Sequence, residues 1–264
     1  MIDLHSHILP GIDDGARSLE ISLEMARLAV ADGIHTMACT PHIYPGLYMN
    51  DAPGIGRARD ALQAELDARG IALRLVSGAD VHLVPGLLTG LREGRVPTLN
   101  GSRYVLLEPS HHIAPPRFEE SVFQLVVAGY TPVITHPERL TWIETHYPVF
   151  VQMIQQGAWM QVTAGALTGL FGPDAQYWGE KFLGEGHTHI LATDAHSSGG
   201  RIPRLSEGLA VAERLLGQTE AARLVNERPQ AILDDLSPSL VAPLPEQKPR
   251  RGWLRKLWPD TQPD

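Results

Sequence analysis

The chain reads as an α/β protein, a closed or nearly closed barrel of parallel strands wrapped by helices. Three observations predict it. Short β-type runs alternate with helix-period segments over most of the 264 residues, and such alternation implies a parallel sheet covered by helices. The β-type runs number seven, enough to close a barrel. Histidines and acidic residues recur just after them, where barrels of this kind assemble an active site from the loops at the C-terminal ends of their strands.

Strands are expected at 1–4, 34–39, 73–78, 103–108, 131–135, 159–163 and 189–193. Helices are expected between them at 17–32, 55–69, 118–128, 147–156 and 174–185, with a short one near 85–93. In the first helix Leu19, Leu23, Ala26 and Val30 recur at helical spacing. Gly33, Gly70, Gly129 and Gly157 stand where helices should stop. Beyond residue 203 the pattern is helical only, at 204–216, 219–226 and 228–235. Residues 237–264 carry six prolines and no long apolar run, so a domain of residues 1–236 followed by a flexible tail is expected.

Composition narrows the class. With 43% apolar and 20% charged residues the chain suits one large soluble domain. One cysteine excludes an internal disulfide framework and fits a reducing cytoplasm. No run has transmembrane length, and with Met1 leading directly into the first strand no signal peptide is expected. A formal charge of −8 argues against nucleic acid as a partner. That charge is uneven: residues 244–264 carry about +2 and the rest about −10.

The chemistry sits at the strand ends. His5 and His7 follow the first strand at a spacing of two, so both imidazoles leave the sheet on the same side. Asp13 and Asp14 lie in the loop behind them, and His42, Asp80, Glu108, His136, Asp194 and His196 follow later strands. A single histidine at a strand end is commonly an ordinary loop residue. The same bland reading would have to hold independently at six strand ends, and a distributed metal site explains the coincidence better. Imidazole and carboxylate without thiolate suit manganese, iron or zinc in a hydrolytic site. Arg139 and Arg201 each lie a few residues beyond a ligand, and a guanidinium matches phosphate with paired hydrogen bonds. Cys39 is rejected as a nucleophile, because it ends an apolar strand and Pro45 stands where a phosphate-cradling arginine would be needed.

The runs MIDLHSHILPGIDDG, CTPH, GAD, LLEPS, PVITHPER, QVT, LFG and ATDAHSSGGR resemble the polymerase-and-histidinol-phosphatase (PHP) superfamily. More narrowly they are similar to its bacterial capsular-polysaccharide tyrosine phosphatases, in unbroken order over roughly residues 1–235. The resemblance implies a distorted (β/α)7 barrel with three divalent metal ions, usually manganese. It implies hydrolysis of phosphotyrosine on the tail of a membrane tyrosine kinase that controls capsule or exopolysaccharide assembly. Carried onto this chain, it gives His5, His7, Asp80 and Asp194 to the first metal, and Asp80, Glu108 and His136 to the second, with Asp80 bridging. Asp14, His42 and His196 go to the third, and Arg139 and Arg201 to the phosphate. The family usually has glutamate where this chain has Asp80, one methylene shorter.

The expected reaction is direct attack on phosphorus by a hydroxide shared between cations, without a phosphoenzyme. Histidinol-phosphate phosphatase is the main rival within the superfamily; an amidohydrolase and a non-catalytic metal scaffold are rivals of other classes. His111 and His112 read as loop-surface residues, and His35, His82, His146, His187 and His189 as structural. The tail segment 249–258 mixes cations with tryptophan and leucine, a composition suited either to the inner face of a membrane or to a solvated tail. Oligomeric state is left open.

Overall fold

The computed structural model describes residues 1–245. Its strands are β1 (Ile2–Asp3), β2 (Thr36–Cys39), β3 (His42–Tyr44), β4 (Tyr48–Met49), β5 (Arg74–Ser77), β6 (Asp80–His82), β7 (Tyr104–Glu108), β8 (Thr131–Thr135), β9 (Trp159–Thr163) and β10 (Ile190–Ala192). All seven expected strands are present. Two of them continue after a two-residue interruption, β2 into β3 across Thr40-Pro41 and β5 into β6 across Gly78-Ala79.

Pairing runs β1-β2-β5 in one sheet and β10-β9-β8-β7-β6-β3-β4 in the other. All these pairings are parallel except the β3–β4 hairpin. The continuations join the two sheets, and a parallel bridge from Ser6 to Ala195 brings the last strand back to the first. The neighbour relations therefore run in a ring of seven. The seam of that ring is well bonded: the Asp194 amide donates to the His5 carbonyl at 2.9 Å, and the His7 amide to the Ala195 carbonyl at 2.8 Å. Buried Asp3 reinforces it, accepting the Thr193 amide at 3.0 Å. Burial pushes the Asp3 carboxyl up to about 6, against the bonds from Thr193.

The inside of the ring explains why each strand takes this side. Leu4, Ala38, Val76, Leu106, Val133, Trp159 and Ile190, one from each lane, pack into a single inner cluster. Ile232 and Leu233 join them from α10 (Arg228–Leu233), which plugs the end of the barrel away from the histidines. Because side chains alternate along a strand, residues two or four positions further on share this inward face. Those positions include Asp80, Glu108, Thr135, Gln161 and Asp194. One face of the sheet thus builds core at one end and polar site at the other.

The outer layer comprises α1 (Leu19–Ala31), α2 (Ala52–Ala68), α3 (Leu87–Arg92), α4 (Phe118–Val127), α5 (Ile143–Gln155), α6 (Ala164–Leu167), α7 (Pro173–Gly184), α8 (Ser206–Leu216) and α9 (Gln218–Ala222). Ser18 and Asp51 cap the first two by accepting the amides of Ile21 and Gly54. The helix beginning expected at 147 lies at Ile143 instead, with Pro148 inside the helix. The helix expected at 219–226 becomes α9 followed by a π-turn at Arg223–Glu227. The four expected terminal glycines all adopt positive φ.

Residues 237–245 begin the expected tail. Here Ala242 and Pro243 offer carbonyls to fully buried Arg228, at 3.5 and 3.2 Å. Arg228 is paired in turn with buried Glu220 at 2.6 Å. The cationic and aromatic segment at 249–258 lies outside the described residues. Among the described residues, no helix is long and apolar enough to cross a membrane.

Candidate metal centre

All nine expected ligands meet at the mouth of the barrel. His5 Nε2 lies 3.3 Å from His7 Nε2, 3.4 Å from Asp80 Oδ2 and 3.2 Å from Asp194 Oδ1. Asp14 Oδ1 lies 3.5 Å from His42 Nε2 and 3.4 Å from His196 Nε2. Glu108 Oε1 lies 3.5 Å from His136 Nε2. Ligands held about 2.1 Å from one cation stand roughly 3–3.5 Å apart, so these separations also suit donors that share a cation. Buried Asp80 Oδ2 and His42 Nδ1, 3.5 Å apart, have no hydrogen-bond partner. Burying such atoms unpaired is costly, and cations at these positions would satisfy them. The donors present therefore fit divalent metals.

Neighbours aim the imidazoles. His5 Nδ1 is 2.8 Å from Gln161 Oε1, His7 Nδ1 is 2.7 Å from Asp13 Oδ2, and His196 Nδ1 is 2.9 Å from the Asp194 carbonyl. Each contact fixes the ring and leaves Nε2 facing the centre. Gln161, at the end of β9's inward face, thus orients His5. Gly15 gives His7 its room, since a Cβ there would stand 2.1 Å from the His7 carbonyl oxygen. Two candidate ligands, His136 and Asp194, hold left-handed backbone with φ of 34° and 51°. Such conformations cost non-glycine residues on the order of 1–3 kcal/mol and collect at functional sites.

The arginines converge as well. Arg139 Nη1 and Arg201 Nη2 both bond Asp194 Oδ2. Both guanidinium groups also face the ring of Phe171, with Cζ 4.2 and 5.6 Å from its centroid. Glu138 anchors the turn that carries Arg139, accepting the Thr163 amide at 2.9 Å. Beside Arg139 opens a cleft of about 720 Å³, lined by Phe171, Tyr177 and Trp178 and by the acids Glu144 and Asp174.

Charge coupling is strong. Burial opposes ionisation of Asp194, but His5, His7, Arg201 and Arg139 together hold its carboxyl well below the usual range. Burial likewise opposes a charge on His7, yet the bonds to Asp13 and Asp194 raise its imidazole to about 10. His136 goes the other way: burial, then the charge of Arg139, hold it well below the ordinary histidine value.

Asp80 does not sit as expected for a simple bridge. It groups with His5 and His7, while Glu108 and His136 group with His111. Its Oδ2 is also 3.5 Å from His42 Nδ1, and its Oδ1 accepts the Thr135 hydroxyl at 3.4 Å. Two histidines read from the sequence as bland also face Glu108. His82 pairs with its Oε2, and His111 Nε2 stands 3.1 Å from its Oε1. The signal for His82 was available: it lies two residues beyond Asp80 on the same strand face, as His7 does from His5. His35, His146, His187 and His189 have structural partners instead, in Thr36, Trp142, Tyr147 and the Met160 amide. Exposed His112 offers its carbonyl to the Thr141 hydroxyl at 3.4 Å. Cys39 is fully buried, and burial pushes its thiol far above the range in which a thiolate forms.

Comparison with known proteins places this arrangement. The family described as capsular polysaccharide synthesis, CpsB/CapC, matches residues 1–234. The tyrosine-protein phosphatase YwqE of Bacillus subtilis is 34% identical over 235 residues, 88% of this chain and 91% of that protein. The tyrosine-protein phosphatase CpsB of Streptococcus pneumoniae is 28% identical over 247 residues, 89% of this chain and 99% of that protein. A crystal structure from work on YwqE and CpsB, described as metal-dependent tyrosine phosphatases, superposes with a TM-score of 0.88 at 32% identity, covering 95% of this chain and all of the other. A histidinol phosphate phosphatase from Lactococcus lactis, at 14% identity and a TM-score of 0.53 over 83% of this chain and 93% of that one, shares the fold.

Proposed function

From the membership of this chain in the CpsB/CapC family of capsular polysaccharide synthesis, we infer that it is a metal-dependent protein-tyrosine phosphatase. One observation carries the reading: five overlapping imidazole–carboxylate sets and two arginines meet at one barrel mouth. The first metal takes His5, His7, Asp80 and Asp194, the second Glu108 and His136, the third Asp14, His42 and His196. We assign divalent cations to them, manganese foremost, with iron or zinc chemically suited to the same donors. When bound, such cations lower the pKa of water towards neutrality and neutralise charge on a phosphoryl group.

The remaining work falls to side chains of this chain. Gln161 and Asp13 keep the Nε2 atoms of His5 and His7 turned to the centre, so no reorganisation is needed when substrate arrives. Arg139 and Arg201, braced on Phe171, supply a pair of forks for the phosphoryl oxygens and hold the phosphorus in place for in-line displacement. Both already turn a donor to one anionic oxygen, Asp194 Oδ2. Tyrosinate, with a conjugate-acid pKa of about 10, leaves without a strong general acid. No protein nucleophile is required, and buried Cys39 is unsuited to be one.

The cleft beside Arg139 favours an aryl phosphate on a polypeptide. Its aromatic wall suits the tyrosine ring, and its volume of about 720 Å³ leaves space for flanking residues. We take the substrate to be the phosphorylated tail of a bacterial membrane tyrosine kinase in capsule assembly, met at the inner face of the membrane. Residues 1–236 form the catalytic domain in this reading, and the basic, aromatic tail makes a weak membrane contact. Turnover of a phosphotyrosine peptide should require added metal and exceed turnover of histidinol phosphate. A preference for histidinol phosphate, or full activity after exhaustive chelation, would sink this assignment. Liposome binding that is unchanged after deletion of residues 244–264 would end the membrane role.

A further inference from the structure

The second donor set holds one more imidazole than the assignment above uses. Asp80 is committed elsewhere: Oδ1 accepts the Thr135 hydroxyl, and Oδ2 faces His5 and His42 at 3.4 and 3.5 Å. Around Glu108 Oε1, by contrast, stand His136 Nε2 at 3.5 Å and His111 Nε2 at 3.1 Å. The His111 and His136 rings lie side by side, centroids 4.8 Å apart. On the far side of the same carboxylate His82 and His42 address Oε2, which turns Oε1 towards the pair.

The loop that carries His111 is fastened, although its imidazole is part-exposed. The Thr141 amide donates to the His111 carbonyl at 3.0 Å, and the Trp142 indole to the Ser110 carbonyl at 2.9 Å. Trp142 is itself packed in the core. An imidazole delivered by such a loop arrives in place, and two nitrogens and one oxygen at these separations form three corners of a cation's coordination shell.

We infer that His111 is the third protein ligand of the cation held by Glu108 and His136, filling the corner that Asp80 leaves to another side chain. This rests on the metal-dependent reading above. A carboxylate one methylene longer at position 80 could reach that corner while still facing His5, so His111 and the length of residue 80 should be interchangeable.

The test is metal binding, read without turnover. Manganese is titrated into metal-stripped protein by calorimetry, with metal content after dialysis measured by mass spectrometry. Parent protein, H111A, H112A, D80E and the D80E/H111A double variant are compared. H111A should weaken one of the parent's binding events on the order of 100-fold and lose about one equivalent on dialysis. H112A should match the parent, and D80E/H111A should regain the lost equivalent. Cobalt-loaded H111A should also show an altered visible spectrum, which loss of a merely neighbouring side chain would not produce. Parent protein that binds no metal overturns the functional reading itself. A parent that binds metal while H111A matches it in count and affinity overturns only the role of His111, as does failure of D80E to restore binding. Because His111 is part-exposed, metal-free H111A should melt with the parent, and that melt is the control for folding.

Discussion

Gln161 and His5, separated by the single β10 lane, are joined at 2.8 Å, amide oxygen to Nδ1. The contact makes Nδ1 the protonated nitrogen and frees Nε2 for a cation. Gln161→Leu should preserve the fold and volume but release the ring. Metal affinity should fall about 10–100-fold, with excess manganese restoring part of the activity. Unchanged affinity by calorimetry would count against an orienting role.

Arg139→Ala should lower kcat on a phosphotyrosine peptide on the order of 10²–10³-fold, the usual scale for removing one donor to a developing anion. Arg139→Lys should recover little, since an ammonium lacks the planar fork and its seat on Phe171. Metal content should remain at the parental level in both. Recovery of full kcat by lysine would contradict the two-point contact.

Gly15→Ala should fail differently. The new Cβ has no space 2.1 Å from the His7 carbonyl oxygen and 2.4 Å from His7 Cβ, so the loop must move and take Asp13 and Asp14 with it. We expect loss of metal binding with helical circular dichroism retained. A variant that binds metal like the parent would show the loop to be more compliant than its packing implies.

Cation binding should release protons. The His7 imidazole, raised to about 10 despite burial by its bonds to Asp13 and Asp194, is protonated at neutral pH and must lose that proton to bind. Affinity should therefore rise with pH throughout the neutral range, by about tenfold per unit for each proton displaced. Calorimetry in buffers of different ionisation enthalpy gives the number directly, and a value of zero would refute the coupling.

Acid should weaken the fold partly through His189. Burial, aided by the charge of Arg228, holds this imidazole well below its ordinary value, and its Nδ1 accepts the Met160 amide at 3.0 Å, so it is neutral in the native state. The unfolded chain gains a proton there below about pH 6.5 while the folded chain does not. Stability from this group is thus full above that pH and lost as pH falls below it. His189→Asn keeps an acceptor for Met160 and removes the titration. Its melting temperature should fall less between pH 7.5 and pH 5 than that of the parent.

Much of this was legible in the sequence, for definite reasons. Each expected strand appears because apolar runs between helix-period segments have few alternatives. The convergence of the nine candidate ligands was legible because the C-terminal ends of parallel strands meet whatever the detailed register. What escaped depends on register. The spacing of two from Asp80 puts His82 on the ligand face, but only the β6–β7 register sets it opposite Glu108. His111 needed the anchoring of its loop by Thr141 and Trp142, thirty residues away. Gln161 carries no charge and so gave no sign of chemistry, although it faces inward like the carboxylates. The role of Asp80 could not be read, because it depends on fractions of an ångström.

The seam of the ring has a consequence for how the protein is made. His5 and His7 are synthesised nearly 190 residues ahead of their partners Asp194 and His196. Until those arrive, the first strand has only one neighbour and its histidines have no complete cage. Nascent chains stalled before Asp194 should therefore neither retain manganese nor resist protease, whereas chains stalled with residues 1–245 outside the exit tunnel should do both. Competence would then appear abruptly and late, so that the growing polypeptide cannot sequester metal in a half-built site.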